Sequence, residues 1–458
     1  MNAAPVMSNT SASTLGQQMH AFAGELYPIC RSITGEGIRE TLSRIGDRIP
    51  LRLFNVPTGT HVFDWTVPKE WNVSGAYIAN ERGERIVDFN KCNLHVVNYS
   101  TPIHESISFT ELKTHLFTIP EHPDWIPYRT SYYKEDWGFC ISHRQLLALD
   151  TNAKYEVCIE SSLSEGSLTY GECYVPGRTD DEILISCHVC HPSLANDNLS
   201  GLVVATYLAE RLAQRDLRHS YRFLFLPGTI GAITWLAQNQ HRTDKICHGL
   251  VLTCLGDKGS FHYKKSRRGD ANIDRAAALV LKQNYSSSEI LEFTPYGYDE
   301  RQYCSPGFNL PVGCLMRSVW GTFPEYHTSA DNLAFIHADK LAESLDVCTS
   351  IMDVLEQDRR YLNLNPYCEP QLGRRKLYGS AGGFSITDEI NARLWVLNQS
   401  DGQKSLIDIA ERSGMPFQLI ADAADLLRNH GLLSVLSDRS DGRPAEGHTA
   451  AITSSSSY

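Results

Sequence analysis

The densest group of side chains that could bind a metal follows a strand predicted at 182–186. His188 comes directly after this strand, and Asp197 precedes a helix predicted at 201–215. Ligands in open α/β sheets bind at the carboxyl ends of strands, so an imidazole and a carboxylate in these positions are placed to share a cation. The amino-terminal end of the helix favours a carboxylate or a polarised oxygen beside it. His188 and Asp197 are therefore the first predicted metal ligands, with a hydrogen-bonded core histidine as the alternative for His188.

Two later segments extend this predicted site. His327 lies between Glu325 and Asp331, and an imidazole among carboxylates is the arrangement that a metal-bound histidine requires. Asp257 follows a strand predicted at 249–255, which places another carboxylate at a strand end. A histidine and an aspartate early in the chain, an aspartate in the middle and a histidine late match the ligand order of a hydrolytic zinc site built on loops above a sheet.

Two cysteines of the first segment have other interpretations. Cys187 and Cys190 precede His191 in the pattern of a c-type haem attachment, and a pair of cysteines at this spacing also occurs in zinc fingers. The amino-terminal residues MNAAPVMSNTSAST lack the basic and apolar regions of an export signal, which disfavours haem attachment. A second Cys-x-x-Cys at zinc-finger spacing is also missing from the sequence. The two cysteines are predicted to pack as small residues around the strand end.

The elements around these residues alternate between strand and helix. Such alternation is typical of an α/β sheet with parallel pairing. The predicted strands lie at 182–186, 221–226 and 249–255, and the predicted helices at 201–215 and 232–240. A helical opening at 15–44, interrupted by a turn at 32–37, precedes short β-prone runs that are rich in Trp and Tyr and extend from 51 to 165. We interpret the latter as a small β-rich domain.

The last part of the chain predicts a separate domain. Residues 358–383 are polar and rich in Pro and Gly, as in a linker. Three helical segments and a short strand then give the outline of a winged helix, at 387–397, 405–413, 417–429 and 432–436. Residues 1–14 and 438–458 are small and polar and are predicted to be disordered.

Composition limits the classes of partner and compartment. The chain has 458 residues, and its 42 Lys and Arg against 53 Asp and Glu leave a net charge of −11, which disfavours a nucleic acid as partner. No apolar run approaches the roughly 18–20 residues needed to span a bilayer, so we expect no membrane association. Thirteen cysteines without an export signal indicate reduced thiols. A soluble, cytoplasmic protein is the prediction.

Several longer motifs resemble known proteins. His188, Asp197 with the following Asn-Leu-Ser-Gly, and the segment 326–332 resemble the zinc aminopeptidase clan that includes bacterial leucyl aminopeptidases and glutamate carboxypeptidase. Almost the whole chain is similar to a bacterial family of uncharacterised aminopeptidase-like proteins that is often described with polysaccharide biosynthesis. The segments that carry this closer resemblance are 26–35, 65–71, 126–133 and 296–302.

The resemblance implies an α/β fold with a phosphorylase/hydrolase-like zinc-peptidase core. The implied domains are the core at 15–50 and 166–358, an inserted β-rich lid at 51–165 and a C-terminal winged helix at 384–437. The resemblance also implies that His188 binds one metal, that Asp197 bridges two and that His327 binds the second. One or two zinc ions are therefore the expected cofactor.

The sequence departs from the clan at two further positions. Peptidases of the clan carry a Glu-Glu pair after the next strand, where this chain has Gly228 and Thr229, and neither residue can take a proton from water at neutral pH. The clan's remaining metal-binding aspartate aligns with Thr253. Asp257 lies four residues later and replaces it only if the loop turns back.

Three functional hypotheses follow. The first is a metal-dependent, aminopeptidase-like hydrolase that cleaves an amide at an amino-terminal or amino-acyl group of a small peptide or amino-acyl substrate. Glu300 or Glu325 would transfer the proton. The alternative roles are an ion pair with an arginine for Glu300 and a solvated loop end for Glu325.

The second hypothesis is a catalytically altered protein that binds an amino-acyl or sugar-linked ligand in the same cleft. Arg31, Arg129 and Arg268, together with Arg267, could clamp a carboxylate or phosphate, because guanidinium groups suit both anions. Surface ion pairing is the alternative for each of them.

The third hypothesis is a DNA-binding regulator that acts through the winged helix. Residues 387–436 contain four basic and seven acidic side chains, and this net charge of −3 would repel phosphates. Contacts between proteins, including homo-oligomer formation through this domain, suit the segment better.

Overall fold

The computed structural model describes residues 9–378 and 387–436, and the chain divides into two units after Glu356. Twelve α-helices lie in the described residues: α1 Asn9–Leu26, α2 Glu36–Gly46, α3 Phe109–Leu112, α4 His143–Leu147, α5 Gly201–Leu212, α6 Ile230–Asn239, α7 Asn272–Asn284, α8 Glu300–Tyr303, α9 Ala338–Gln357, α10 Asp388–Gln399, α11 Leu406–Ser413 and α12 Phe417–Asn429.

Nineteen strands lie in the same described residues. They are β1 Arg52–Pro57, β2 His61–Val62, β3 Trp65–Thr66, β4 Glu70–Ala79, β5 Arg85–Asp88, β6 Ile103–Ser108, β7 Leu116–Phe117, β8 Phe139–Cys140, β9 Lys154–Ser164, β10 Ser167–Val175, β11 Glu182–His188, β12 Ser220–Leu226, β13 Ile246–Leu252, β14 His262–Lys264, β15 Glu289–Leu291, β16 Val312–Met316, β17 Arg360–Asn363, β18 Asp401–Ser405 and β19 Leu433–Val435.

Eight strands form the main sheet of the first unit, in the order β1-β10-β12-β11-β13-β16-β14-β15. The central strands β12, β11, β13 and β16 are parallel. Every residue of β11 and β12 is buried, as expected for central strands covered on both faces. Because the four central strands are parallel, the loops that follow them meet at one edge of the sheet. This carboxyl edge is where the candidate site forms.

A second sheet lies in the predicted lid region, with the order β5-β4-β9-β6 and antiparallel pairing throughout. The boundary predicted at residue 51 needs a correction, because β1 pairs with β10 in the main sheet. Residues 52–57 therefore belong to the core sheet. A strand at the edge of a mixed sheet and a strand of a small β domain share the same local pattern, so the sequence does not separate them.

The second unit contains a three-stranded antiparallel sheet, β18-β17-β19, together with α10, α11 and α12. Its start also needs a correction from 384 to 357, because β17 is the central strand of this sheet. β17 has only four residues and no clear alternation, so its local signal is weak. The helix predicted at 417–429 has the observed bounds of α12. Ser405 caps α11, and Gly414 ends it in a left-handed conformation.

The predicted disordered tails are described only in part. Residues 9–14 belong to α1, so the first tail as predicted is too long. Residues 1–8 and 437–458 lie outside the described residues. No helix of the described residues is long and apolar enough to cross a membrane. The predicted fold class, an α/β core with a β-rich insertion and a C-terminal winged helix, is confirmed.

Candidate metal centre

The site is built on the turn between β11 and α5. His188 is the last residue of β11, and residues 195–200 form an irregular turn before α5 begins at Gly201. Asp197 has non-helical backbone angles in this turn (φ −107°, ψ 85°), and its side chain is fully buried. The sheet edge and the helix start thus hold an imidazole and a carboxylate on one short, buried segment.

Three imidazoles surround the Asp197 carboxylate. The Nε2 atom of His188 lies 2.8 Å from Oδ1, and the Nε2 atom of His327 lies 3.0 Å from Oδ2. The Nε2 atom of His191 lies 3.8 Å from the same Oδ2. The hydroxyl of Tyr298 donates to Oδ2 at 2.7 Å. The fold therefore brings His327 to a carboxylate that is 130 residues away in the sequence.

Aromatic rings hold the imidazoles in place. Tyr298 stacks on His188 with ring centroids 4.2 Å apart, and Tyr326 stacks on His327 at 4.0 Å. The hydroxyls of these two tyrosines are 2.7 Å apart. The ring of Tyr128 lies 5.2 Å from that of His191 and 5.1 Å from that of His327. Packing of this kind restricts ring rotation and limits water around the histidines.

Asp331 fixes the turn that presents Asp197. Its carboxylate accepts hydrogen bonds from the backbone N–H groups of Asn196 (2.6 Å) and Asp197 (2.9 Å), and its carbonyl accepts one from Ala195. Burial raises the pKa of Asp331 to about 8, although these backbone donors oppose the shift. Asp331 therefore orients the turn that carries Asp197, and both of its carboxylate oxygens are used by backbone N–H groups.

The charge state of the cluster depends on burial and on the imidazoles. Burial opposes ionisation of Asp197, but His191, His188 and His327 hold the pKa of its carboxyl well below the usual range. Burial lowers the pKa of His191 to about 3. The result is an ionised Asp197 carboxylate beside a neutral His191 imidazole, and these are the protonation states that metal ligands need.

The residues fit a zinc-type ion. Ligand atoms of His188, His191 and Asp197 all lie within 4.8 Å of one another, and His327 contacts the same carboxylate. Imidazole nitrogen and carboxylate oxygen are ligands that zinc accepts. Of the four residues predicted as ligands, the structure brings together His188, Asp197 and His327.

The structure places Asp257 in a different network. Its carboxylate accepts hydrogen bonds from Asn196 Nδ2 (2.7 Å), Ser318 Oγ (2.7 Å) and the backbone N–H of Gly259 (2.6 Å). These donors occupy both carboxylate oxygens, and the structure does not group Asp257 with the three histidines. Asp257 holds the side chain of Asn196, the residue before Asp197, and so supports the turn without contacting Asp197 itself.

The two predicted proton carriers have different surroundings. Glu300 is fully buried, and its Oε1 lies 2.8 Å from the Nζ atom of Lys264. Its ion-pair partner is therefore a lysine, where an arginine was expected. Glu325 is half-buried, and its backbone carbonyl accepts hydrogen bonds from Thr328. Proton transfer by Glu300 or Glu325 stays a prediction.

The predicted anion clamp does not come together. Arg31 is buried and donates to the backbone carbonyls of Leu26, His191 and Pro192, so it holds the loop that carries His191. Arg129 is exposed and lies over the ring of Phe117. Arg268 is exposed and donates to the carbonyl of Asn309, while Arg267 donates to the side-chain oxygen of the same asparagine. Substrate binding by these arginines remains a prediction.

A carboxyl group lies beside the position where the clan has its Glu-Glu pair. A Cβ atom built on Gly228 would lie 3.1 Å from the Cβ of His188 and 3.6 Å from Oδ1 of Asp299. Asp299 is fully buried, and neither of its carboxylate oxygens has a hydrogen-bond partner in the described residues. Burial, together with the charge of Glu300, raises the pKa of Asp299 well above its usual range.

Three residues of this neighbourhood were not assigned from the sequence. His191 belongs to the Cys-x-x-Cys-His pattern, and a second imidazole three residues after His188 was a signal for it. Tyr298 and Asp299 lie in the segment 296–302, whose similarity to known proteins did not show which side chains face the site. Their positions depend on how the loop before α8 folds over the sheet.

Comparisons with known proteins identify the family of each part of the chain. Residues 20–358 match a family described as a domain of unknown function, DUF4910, and residues 359–435 match a winged helix-turn-helix family. A protein of Clostridium acetobutylicum, provisionally named a polysaccharide biosynthesis protein with an aminopeptidase-like domain, is 50% identical over 428 residues. This match covers 93% of the chain and 98% of the relative.

Solved structures show the same fold. The crystal structure of a provisionally named peptidase from Clostridium acetobutylicum matches with a TM-score of 0.89 and 49% identity, over 93% of this chain and 98% of that one. A zinc aminopeptidase from Bacillus subtilis matches with a TM-score of 0.53 and 11% identity, over 73% and 94%. At such low identity the second match shows the fold alone. The chain belongs to the DUF4910 family, and in this chain the aminopeptidase-like α/β core is followed by a winged helix.

Proposed function

We propose that this protein is a metal-dependent, aminopeptidase-like hydrolase that cleaves an amide at an amino-terminal or amino-acyl group. The observation that carries the proposal is the contact of His188 and His327 with the two oxygens of one buried carboxylate, Asp197. His191 is the additional imidazole for the same ion. Zinc, as one or two ions, is the proposed cofactor. A zinc ion in this position supplies a Lewis acid for the substrate carbonyl.

We assign proton transfer first to Asp299. Its carboxyl lies next to Gly228, where peptidases of the clan have a glutamate, and its raised pKa favours the protonated form. A carboxylic acid in that form is suited to give a proton to a leaving amine. Glu300 and Glu325 remain the other candidates. Glu300 is tied to Lys264, which reduces its freedom to exchange a proton.

The hydroxyls of Tyr298 and Tyr326 are donors next to Asp197. We assign to them the stabilisation of negative charge that develops on the substrate oxygen, because fixed donors in a water-poor site stabilise such charge strongly. Small peptides and amino-acyl compounds are the proposed substrates. The name of the Clostridium acetobutylicum relative adds N-acyl amino sugars to the substrates worth testing.

The first experiment measures zinc per chain by elemental mass spectrometry and hydrolysis of aminoacyl amides and N-acyl amino sugars. A His188→Ala, His327→Ala double variant should lose the hydrolysis and bind one or two fewer zinc ions per chain than the wild type. His104→Ala is the matched control, because His104 is an exposed histidine paired with Glu156. A wild-type protein that stays metal-free after zinc is supplied would rule out the proposal.

A second experiment separates the three candidate proton carriers. If Asp299 transfers the proton, Asp299→Asn should lower kcat by about 10²–10⁴-fold and leave the zinc content unchanged. Glu300→Gln and Glu325→Gln should then have smaller effects. A larger loss in either of these two variants would move the role to that residue.

The absence of a glutamate at Gly228 and Thr229 favours a second candidate function, a binding protein that uses the same cleft without hydrolysis. Zinc-loaded protein that binds an amino-acyl amide in calorimetry and leaves it intact would support this alternative. Of the predicted arginines, Arg129 is the exposed one still able to contact an anionic group of such a ligand, whereas Arg268 interacts with His248 at the opposite edge of the sheet.

For the winged helix we propose contacts between proteins, including copies of this chain. The exposed face of its helix α12 carries Asp422 and Asp425, and only Arg428 opposes them. Light scattering of the full chain tests for oligomers, and a gel-shift assay with duplex DNA tests the regulator hypothesis. A salt-dependent gel shift would contradict the proposal.

A further inference from the structure

A second group of metal-ligating side chains lies at the opposite edge of the main sheet. His219 directly precedes β12, and Cys247 and His248 are the second and third residues of β13. Ligand atoms of these three residues all lie within 4.8 Å of one another. This amino edge of the parallel strands is separated from Asp197 by the length of the sheet. The group therefore belongs to a different site.

An irregularity in the strand pairing brings Cys247 and His248 to the same side. Glu182 pairs with Ile246 and Ile183 with His248, so Cys247 is an extra residue in β13. Neighbouring residues of a regular strand point to opposite faces of the sheet. A bulge removes this alternation and redirects a side chain, which lets both residues approach His219.

A buried glutamate orients His219. The Nδ1 atom of His219 lies 3.2 Å from Oε1 of Glu356, which also accepts a hydrogen bond from the hydroxyl of Tyr221. The backbone N–H groups of Arg218 and His219 donate to the same carboxylate. A carboxylate that holds one imidazole nitrogen fixes the tautomer and leaves Nε2 free to bind a metal.

The other two residues also offer ligand atoms to a cation. The Nδ1 atom of His248 is buried and has no hydrogen-bond partner in the described residues. The Cys247 thiol donates weakly to the carbonyl of Glu182 at 3.4 Å and would release its proton to solvent when a cation binds.

We propose that His219, Cys247 and His248 form a second metal site, for a divalent cation that accepts both thiolate and imidazole, foremost Zn²⁺. Such an ion would join the start of β12 to the bulge of β13 and, through Glu356, to the end of α9. This role is structural and does not depend on the proposed hydrolase activity. Three protein ligands leave a fourth position for water.

The test uses the full chain with the first site removed by His188→Ala and His327→Ala. Metal is stripped with a chelator, and zinc is titrated in competition with a chromophoric chelator. The expected result is uptake of about one zinc per chain, which is lost when Cys247→Ser or His248→Gln is added. Cys368→Ser and His241→Gln are matched controls, because both residues are exposed.

Two further measurements keep the test decisive if a variant folds poorly. Cobalt in place of zinc should give a thiolate-to-metal absorption band that Cys247→Ser removes. Glu356→Gln should keep the stoichiometry and weaken zinc binding by about 10–100-fold, because it removes the partner of His219. No zinc uptake by the double-histidine background, or unchanged uptake after Cys247→Ser with no thiolate band, would overturn the proposal.

Discussion

Two buried clusters of charge in the first unit are built on opposite plans. In the Arg222 cluster, the guanidinium of Arg222 binds both oxygens of Glu182 at 2.7 Å and one oxygen of Glu172. The indole N–H of Trp235 donates to the other oxygen of Glu172. All four carboxylate oxygens have a donor, and the charged side chains are at most 8% exposed.

The Asp197 cluster has no such closure. Its carboxylate lies against imidazole nitrogens and accepts a hydrogen bond from the hydroxyl of Tyr298, and the nearby Asp299 has no donor in the described residues. Buried charges whose partners are all supplied by the protein stabilise a single arrangement, whereas buried charges with incomplete partners create a place for a ligand. The difference distinguishes a structural cluster from a candidate site.

Removal of the Arg222 guanidinium from the Arg222 cluster should give the largest effect on stability. Arg222→Ala leaves Glu172 and Glu182 buried without their partner, so the free energy of unfolding should fall by about 3–5 kcal/mol. Urea denaturation measures it. Arg44→Ala is the control, because its pair with Glu40 is exposed and should contribute less than about 0.5 kcal/mol. An equal fall in the free energy of unfolding in the two variants would mean that complete pairing of the buried charges does not stabilise the fold.

The Glu356 carboxyl, which has hydrogen-bond partners, should stop stabilising the fold at low pH. Burial opposes ionisation of Glu356, but hydrogen bonds from His219 and from backbone N–H groups lower its pKa to about 2. A carboxyl with a lowered pKa stabilises the fold above its unfolded pKa, and this stability disappears as the pH falls from about 4.5 to about 2. The loss should total about 3 kcal/mol in metal-free protein. The free energy of unfolding should depend less on pH over this range in Glu356→Gln than in the wild type. The same pH dependence in both proteins would contradict this role of Glu356.

The Asp299 carboxyl, which has no hydrogen-bond partner in the described residues, should destabilise the fold as the pH rises. The pKa of Asp299 is raised by burial, so the folded state holds its proton more tightly than the unfolded state, and stability falls as the pH rises above about 4. The slope is at most about 1.4 kcal/mol per pH unit. Asp299→Asn should therefore be more stable than metal-free wild type at pH 8 and similar at pH 4. Denaturation at both pH values measures this, and equal stability at pH 8 would place a donor near Asp299.

The part of the site that was predictable from the sequence depends on local signals. His188 and Asp197 were predicted because they flank a strand and a helix, and the strand and helix patterns are visible within a few residues. His327 was predicted from its acidic neighbours and from the resemblance. Asp257 satisfied the same rule of a carboxylate at a strand end, yet the structure uses it to hold Asn196 and Ser318. Position at a strand end does not show which way a side chain turns.

The α/β class, the winged helix and the strand end that carries the site can be predicted from the sequence alone, because hydrophobic periodicity and turn residues act over short distances. Which side chains contact one another depends on the tertiary structure. Tyr298, Asp299 and His327 reach β11 from more than a hundred residues away, and β17 gains its role from strands that follow it much later. Such contacts depend on loop paths and on the pairing of buried charges, which are properties of the whole fold.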